Sequence, residues 1–280
     1  MGKDILLIGN TGSSSARLLL AEAQQHAYSL DVLPVNSLSY TDGVLEQTTT
    51  TDRNFFAYDV YYFRGLGRQP EKLAEMQALA AHLQKQGKRV VEACLGTTGL
   101  PEDSFVPVST SGTYQVPETY TYAVTDELDD RIEYPVVIKK FQSSLGKGIK
   151  KVYEESEIHD FVAAETNFIV QKFYDIAYDT RVLVVGDTVV GGFDRFRPEG
   201  EPLLTTRKGG KRTVAELTEA QRSAALEATK LKRLEIAGVD MFMFQNELYV
   251  LEVNASPQFH VLSRKTGISA AALILDYIVR

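Results

Sequence analysis

Gly238-Val239-Asp240-Met241-Phe242-Met243-Phe244 and Glu247-Leu248-Tyr249-Val250-Leu251-Glu252-Val253-Asn254-Ala255-Ser256-Pro257 decide how this chain is read. Both runs are apolar, aromatic and β-branched, the pattern of two buried strands, and Gln245-Asn246 between them reads as a tight turn. Three polar residues interrupt the apolar background. Side chains two apart on a strand share a face, so Glu252 and Asn254 project together, and Asp240 can join them from the neighbouring strand. An unpaired charge in such a setting is costly, so these oxygen donors need a partner. A hard cation such as Mg²⁺ is one, and Mg²⁺ commonly arrives with nucleotide phosphates. Pairing of the acids with Lys or Arg, with Asn-x-Ser-Pro as a plain turn, is the other.

Composition sets the outer bounds. The chain has 280 residues, 44% hydrophobic, with a formal net charge of −7 and a sequence pI near 5.3. That balance argues against a general nucleic-acid binder. No apolar run reaches the length of a membrane span, and the N-terminus lacks the form of a signal peptide, so a cytoplasmic protein is expected. A single cysteine, Cys94, excludes an internal disulfide framework and a cysteine-based zinc site. It reads as a small buried side chain.

Working outward from the acidic motif, residues 3–95 alternate strand and helix signals, which predicts an open α/β layer. The expected strands are 4–8, 29–34, 59–63 and 89–91, with helices around 17–23 and over 70–87. The loop Gly9-Asn10-Thr11-Gly12-Ser13-Ser14-Ser15 lacks both the Gly-Lys-Ser/Thr ending of a phosphate loop and the three-glycine dinucleotide fingerprint. This disfavours a nicotinamide-dependent oxidoreductase. Residues 96–120, rich in Gly and Pro, read as a connector. A compact α+β unit follows, with strands at 134–140, 149–153 and 167–173 and a helix over 155–164. The remainder closes with a helix over 269–279.

Five lysines fall between positions 139 and 151 of this acidic chain, flanking the loop Gln142-Ser143-Ser144-Leu145-Gly146-Lys147-Gly148. A glycine-rich loop lets backbone N–H groups approach phosphate oxygens, and lysine adds a point charge. A solvated hairpin with surface lysines is the plainer reading. Farther on, Asp179-Thr180-Arg181 enters an apolar strand, and Arg195, Arg197, Arg207, Lys208, Lys211 and Arg212 form a second basic region. Guanidinium groups suit carboxylate and phosphate recognition.

Taken together, these motifs resemble the ATP-grasp superfamily, and Val-Leu-Glu-Val-Asn-Ala-Ser-Pro is most similar to its RimK-type ligases, which join a carboxylate to an amine. The resemblance implies an N-terminal open α/β pre-ATP-grasp domain (residues 1–115), a central lid subdomain (116–170) and a C-terminal ATP-grasp subdomain with the metal site (171–280), α/β overall and α+β in the ATP-grasp part. It implies ATP and one or two Mg²⁺ ions as cofactors, with Mn²⁺ able to replace them, and Asp240, Glu252 and Asn254 as metal ligands. Lys139, Gly146 and Gly148 match the lid over the triphosphate. Gln171, Lys172 and Phe173 match the hinge beside adenine, and Asp179 a position that accepts from ribose hydroxyls or orients a lysine. Arg181 and Arg195 take the catalytic places beside the transferred phosphate. Arg64 and His260 are candidate substrate contacts. The implied partner is a small-molecule or peptide substrate, and a homo-oligomer is also expected, since many relatives pair or form tetramers.

This sequence departs from the family in three places. No lysine occurs between Lys88 and Lys139, where the family carries another ATP-contacting lysine. Leu203-Leu204-Thr205-Thr206 replaces a segment that often holds Asn, and Gln258-Phe259-His260 replaces the usual Gly-Leu. The same residues also admit a nucleotide-binding regulatory or partner protein with a degenerate site.

Overall fold

The computed structural model describes residues 2–26, 28–49, 51, 53–66, 70–99, 109–125, 127–140, 148–162, 167–204 and 210–280. The N-terminal layer is a parallel sheet of β1 (Asp4–Gly9), β2 (Ser29–Pro34), β5 (Val60–Arg64) and β6 (Arg89–Val91), ordered β2-β1-β5-β6. Helices α1 (Ser14–Gln25) and α2 (Pro70–Lys85) connect its strands, as parallel pairing requires a crossover. The side chain of Ser13 caps α1 by accepting from the Ala16 N–H. A small hairpin, β3 (Leu38–Thr41) with β4 (Val44–Gln47), turns at Asp42-Gly43, where both residues have positive φ (52° and 82°). Such a turn favours an Asp-Gly pair.

The central unit is an antiparallel sheet ordered β7-β10-β8-β9, built from β7 (Thr119–Ala123), β8 (Val136–Lys140), β9 (Ile149–Val152) and β10 (Asn167–Lys172). Helix α3 (Ser156–Val162) covers it, with Ile158 and Val162 in a core that includes Val136, Ile138, Phe168 and Val170.

The C-terminal unit is a five-stranded antiparallel sheet, β13-β12-β11-β14-β15. Its strands are β11 (Tyr178–Val185), β12 (Thr188–Phe196), β13 (Arg212–Val214), β14 (Ile236–Phe244) and β15 (Glu247–Asn254). The turn between β14 and β15 falls at Gln245 and Asn246, both at positive φ. Helices α4 (Glu219–Leu231), α5 (His260–Thr266) and α6 (Ala270–Ile278) pack on it. Helix α4 starts with a capping box in which Thr218 and Gln221 satisfy each other's backbone N–H groups.

One apolar core joins the first and last units. Ile5, Leu7, Val60 and Tyr62 pack with Leu183, Ile236, Phe259 and the buried face of α6. The tail of the acidic motif is thereby set against the C-terminal end of β5. Residue 115 adds a further tie: the Gln115 N–H donates to Leu248 O (2.7 Å), and the Val250 N–H donates to Gln115 O (3.0 Å). No helix among the described residues is long and apolar enough to cross a membrane.

Candidate active site

Strand register assembles the site. Arg181 lies opposite Asp240, and Asp240 opposite Glu252, so these three form a row across β11, β14 and β15. In a parallel row, Arg212 lies opposite Arg195, and Arg195 opposite Asp179, across β13, β12 and β11. Residues directly opposite in an antiparallel sheet share a face, and Asp179 and Arg181 are two apart on one strand. The two rows therefore stand on the same face.

Arg181 and Arg195 bond to the acids Asp179 and Asp240 of these rows. Arg181 donates from Nε to Asp240 Oδ1 and from Nη2 to Asp240 Oδ2, both at 2.5 Å. Arg195 donates from Nε to Asp179 Oδ1 (2.7 Å) and from Nη2 to Asp179 Oδ2, and the same Nη2 reaches Asp240 Oδ2 at 2.7 Å. The arginine partner foreseen for acids in strands is thus present for Asp240. It does not extend to Glu252. Among the described residues no arginine bonds to Glu252; its Oε1 receives a long contact from Asn254 Nδ2 (3.4 Å), and Asn254 Oδ1 accepts from the Ser256 N–H at 2.8 Å.

Electrostatics separate the two acids. Burial alone raises the Asp240 pKa, but Arg181 and Arg195 outweigh it and hold the carboxyl below its ordinary value. For Glu252, burial and the neighbouring Asp240 charge raise the pKa, with Arg181 and Lys139 opposing them less strongly. Asp179 is raised by burial in spite of Arg195. The charge at Glu252 is therefore poorly compensated, which is the condition an added cation relieves. Two carboxylates and an amide oxygen on adjacent strands are also a hard donor set. The residues present fit Mg²⁺.

Lys139 reaches the site from the central sheet. Its side chain is buried, and burial lowers its pKa to about 8 against the pull of Glu252 and Asp240. Lys140 points elsewhere, with its ammonium over the Phe161 ring of α3. Gly148 O accepts from the Lys140 N–H (2.8 Å); Gly146 lies outside the described residues, as do Arg207, Lys208 and Gly209. On β10, Gln171 is buried and donates from Nε2 to Thr119 Oγ1 (2.9 Å). The Lys172 N–H donates to Glu118 O (2.9 Å), and the Lys151 ammonium stands 3.6 Å from the centre of the Phe173 ring. The loop at 9–15 is held internally, with the Gly12 N–H on Asn10 Oδ1 and Arg17 on Gly12 O.

Arg64 and His260 flank the motif's tail. Arg64 is buried, donating to Tyr62 Oη (2.6 Å) and Pro257 O (2.7 Å), with its guanidinium between the Tyr62 and Phe259 rings. The Gly65 N–H donates to Ser256 Oγ (2.8 Å). The structure thus shows Arg64 clamping the motif's tail onto the N-terminal layer. His260 has a buried Nδ1 with no hydrogen-bond partner among the described residues, and burial, Arg264 and Arg212 lower its pKa.

Two ionisable residues, Arg264 and Glu92, were not among the expected site residues. Arg264 lies four residues after His260, a spacing that shares a helix face. Glu92 is buried and accepts from the backbone N–H groups of Glu235 and Ile236, and no local motif marks it.

A family model described as the RimK-like ATP-grasp domain matches residues 113–278, which hold both rows and Lys139. The chain belongs to the RimK-like ATP-grasp family. A probable alpha-L-glutamate ligase of Haemophilus influenzae (strain 86-028NP) is 30% identical to this RimK-like chain over 244 residues, covering 85% of this chain and 75% of that protein. A second protein of the same name, from Nitrosococcus oceani, is 32% identical over 163 residues, covering 55% of this chain and 54% of its own length. Several such relatives are matched over only about half their length. Among solved structures, the ATP-grasp ligase PsnB complexed with a phosphomimetic variant of minimal precursor, Mg and ADP superposes with a TM-score of 0.68 at 14% identity. That superposition covers 100% of this chain and 99% of PsnB and shows the shared fold.

Proposed function

We propose that this RimK-like chain is an ATP- and Mg²⁺-dependent ligase that joins a carboxylate to an amine, with an amino acid, small metabolite or peptide as acceptor. The observation that carries this reading is the pair Asp240 and Glu252, opposite each other on β14 and β15, of which, among the described residues, arginine bonds to Asp240 and not to Glu252. An uncompensated carboxylate beside a lysine from another sheet suits a metal–triphosphate ligand. The names of the relatives and the Mg and ADP held by PsnB point the same way. The division at residues 115 and 170 belongs to this proposal, with the central sheet as the lid.

A carboxylate oxygen of the substrate attacks the γ-phosphorus, the bond to the β-phosphate oxygen breaks, and ADP leaves. The amine nitrogen then attacks the acyl carbon, phosphate departs with the bonding pair, and the amine gives its proton to solvent. Such transfers depend on positioning and charge neutralisation more than on covalent help. Asp240, Glu252 and Asn254 would hold Mg²⁺, which when bound neutralises phosphate oxygens. Lys139 meets the triphosphate as a cation, Gly146 and Gly148 belong to the covering loop, and the β10 end at Gln171, Lys172 and Phe173 borders the base. Arg181 and Arg195, held in place by Asp179 and Asp240, present preorganised positive charge to the acyl phosphate. The test is ADP release with a panel of amino acids and short peptides. Amine- and carboxylate-dependent ADP that Glu252→Gln abolishes supports the ligase; tight nucleotide binding without turnover for any substrate favours a regulatory nucleotide-binding protein.

A further inference from the structure

An amine that attacks an acyl phosphate must lose a proton, and the groups already placed at the site are not free to take it. Asp179 and Asp240 are engaged by Arg195 and Arg181, and Glu252 is reserved for the cation on the proposed reading. His260 stands at the margin of this face, as the first residue of α5 and six residues after Asn254. It is fixed from both sides. Before it, Pro257 O accepts from Arg64, whose guanidinium lies over the buried Phe259 ring. After it, α5 packs on β12 and β13, with Leu262 over Gly191. The imidazole thus sits where the tail clamped to β5 meets the edge strand that carries Arg212, and Arg212 lies directly opposite Arg195.

The ring is half-buried. Its Nδ1 is covered and has no hydrogen-bond partner among the described residues, so the open edge is the one that carries Nε2. A neutral imidazole bears one hydrogen and one lone pair, and with the hydrogen on Nδ1 the lone pair at Nε2 accepts a proton. Burial lowers the His260 pKa below the ordinary imidazole value, and Arg264 and Arg212 lower it farther, so the ring is neutral at pH 7. Those two guanidiniums, on its own helix and on β13, are the charges that act on it. The other elements packed on α5, which are α1, α6 and β12, add none among the described residues. The same positive surroundings make the protonated ring a ready donor to water.

We propose that His260 is the catalytic base of the second step, accepting the amine proton at Nε2 as the amine attacks. The nitrogen lone pair forms the C–N bond, the carbonyl π pair moves to oxygen, and the nitrogen becomes positive. Its proton passes to Nε2, the oxygen pair re-forms the carbonyl, and phosphate leaves with the C–O bonding pair. The imidazolium then returns the proton to solvent through its open edge. The inference rests on the ligase reading, and it separates the two half-reactions, because formation of the acyl phosphate moves no proton to His260.

The experiment compares two nucleophiles on the full chain with ATP, Mg²⁺ and the carboxylates of the amino-acid and peptide panel. One is hydroxylamine, an amine largely unprotonated at neutral pH, whose adduct loses its proton to water unaided. Its hydroxamate product is measured as an iron(III) complex. The other is the panel amine that gives ADP with the unaltered chain. His260→Gln is expected to lower transfer to that amine roughly a hundredfold, and hydroxamate formation by less than about threefold. Once corrected for the fraction of unprotonated amine, the acid limb of the pH–rate profile should vanish in the variant. His260→Asn takes its place if melting curves show His260→Gln unfolded. Equal losses with both nucleophiles mark a merely structural role and overturn the proposal, as does full amine transfer by the variant. An unaltered chain that makes hydroxamate but uses no panel amine overturns it too, since a base in place admits ordinary amines. Absence of both products from the unaltered chain fails the ligase reading itself, and the inference with it.

Discussion

Asp240 and Glu252 face each other across β14 and β15, yet their charges are handled in opposite ways. Asp240 accepts three hydrogen bonds from two guanidiniums, and its pKa is held down; among the described residues no arginine bonds to Glu252, and its pKa is raised. The two acids therefore differ in their work. Asp240 ties the arginine pair into the sheet, and on the proposed reading Glu252 would meet an incoming cation.

That division predicts different costs for removing each acid. Asp240→Asn leaves Arg181 and Arg195 buried with reduced compensation and should lower stability by roughly 3–5 kcal/mol, the usual loss when one partner of a buried pair is removed. Glu252→Gln removes a raised, repelled carboxylate and should leave stability unchanged or slightly higher. Denaturant melts of the two variants at pH 7 measure the difference; equal losses would contradict the assignment.

Lys139 is stored in a form unfavourable to the free protein. The folded chain releases its proton near pH 8 and an ordinary lysine near 10.5. Between those values the unfolded state holds more protons, so stability rises with pH there. Each tenfold change in proton affinity corresponds to about 1.4 kcal/mol, so Lys139→Met should stabilise the nucleotide-free protein at pH 7 by roughly 1–3 kcal/mol. The same variant should bind ATP more weakly. Calorimetry of ATP binding near pH 8.5 in buffers of different ionisation enthalpy should show proton uptake as the triphosphate restores the ammonium.

Glu92 carries the opposite sign. Burial raises its carboxyl from 4.5 to about 8 despite the N–H groups it receives from Glu235 and Ile236. Between pH 4.5 and 8 the folded state holds the extra proton, so this contribution is complete below pH 4.5 and is lost as pH rises through 8. Stability measured from pH 5 to 8 should fall less steeply in Glu92→Gln than in the unaltered chain.

Arg64 tests whether the N-terminal layer is clamped as the structure shows. Arg64→Lys keeps the charge but cannot serve Tyr62 Oη and Pro257 O while lying between two rings. A stability loss of about 1–3 kcal/mol is expected, measured by urea unfolding. A variant of unchanged stability that raises KM for substrate would instead place Arg64 in the acceptor site.

The motifs that speak through period and turn chemistry were readable in the sequence. The two strands around Gln245-Asn246, the same-face pairing of Glu252 and Asn254, and the β8 strand ending in Lys139 and Lys140 need only alternation and a turn. Pairing across elements was not readable. Nothing local says that Arg212 lands opposite Arg195, because β13 has only three residues and its register is set by β12. Glu92 finds its partners 143 and 144 residues away, and both are backbone N–H groups that leave no mark on composition. The β3–β4 hairpin and helix α4 carried local signals, in Asp42-Gly43 and in the Thr218–Gln221 capping box, but neither was among the elements expected from the sequence.

The most direct test of the central claim is calorimetric titration of ATP into the unaltered chain and into Glu252→Gln, each with and without Mg²⁺. The account predicts Mg²⁺-dependent binding in the unaltered chain that falls at least tenfold in the variant, with the melting temperature preserved. ATP binding that ignores Mg²⁺, or a variant that binds Mg-ATP as well as the unaltered chain, would contradict the assignment of Asp240, Glu252 and Asn254 as the metal site.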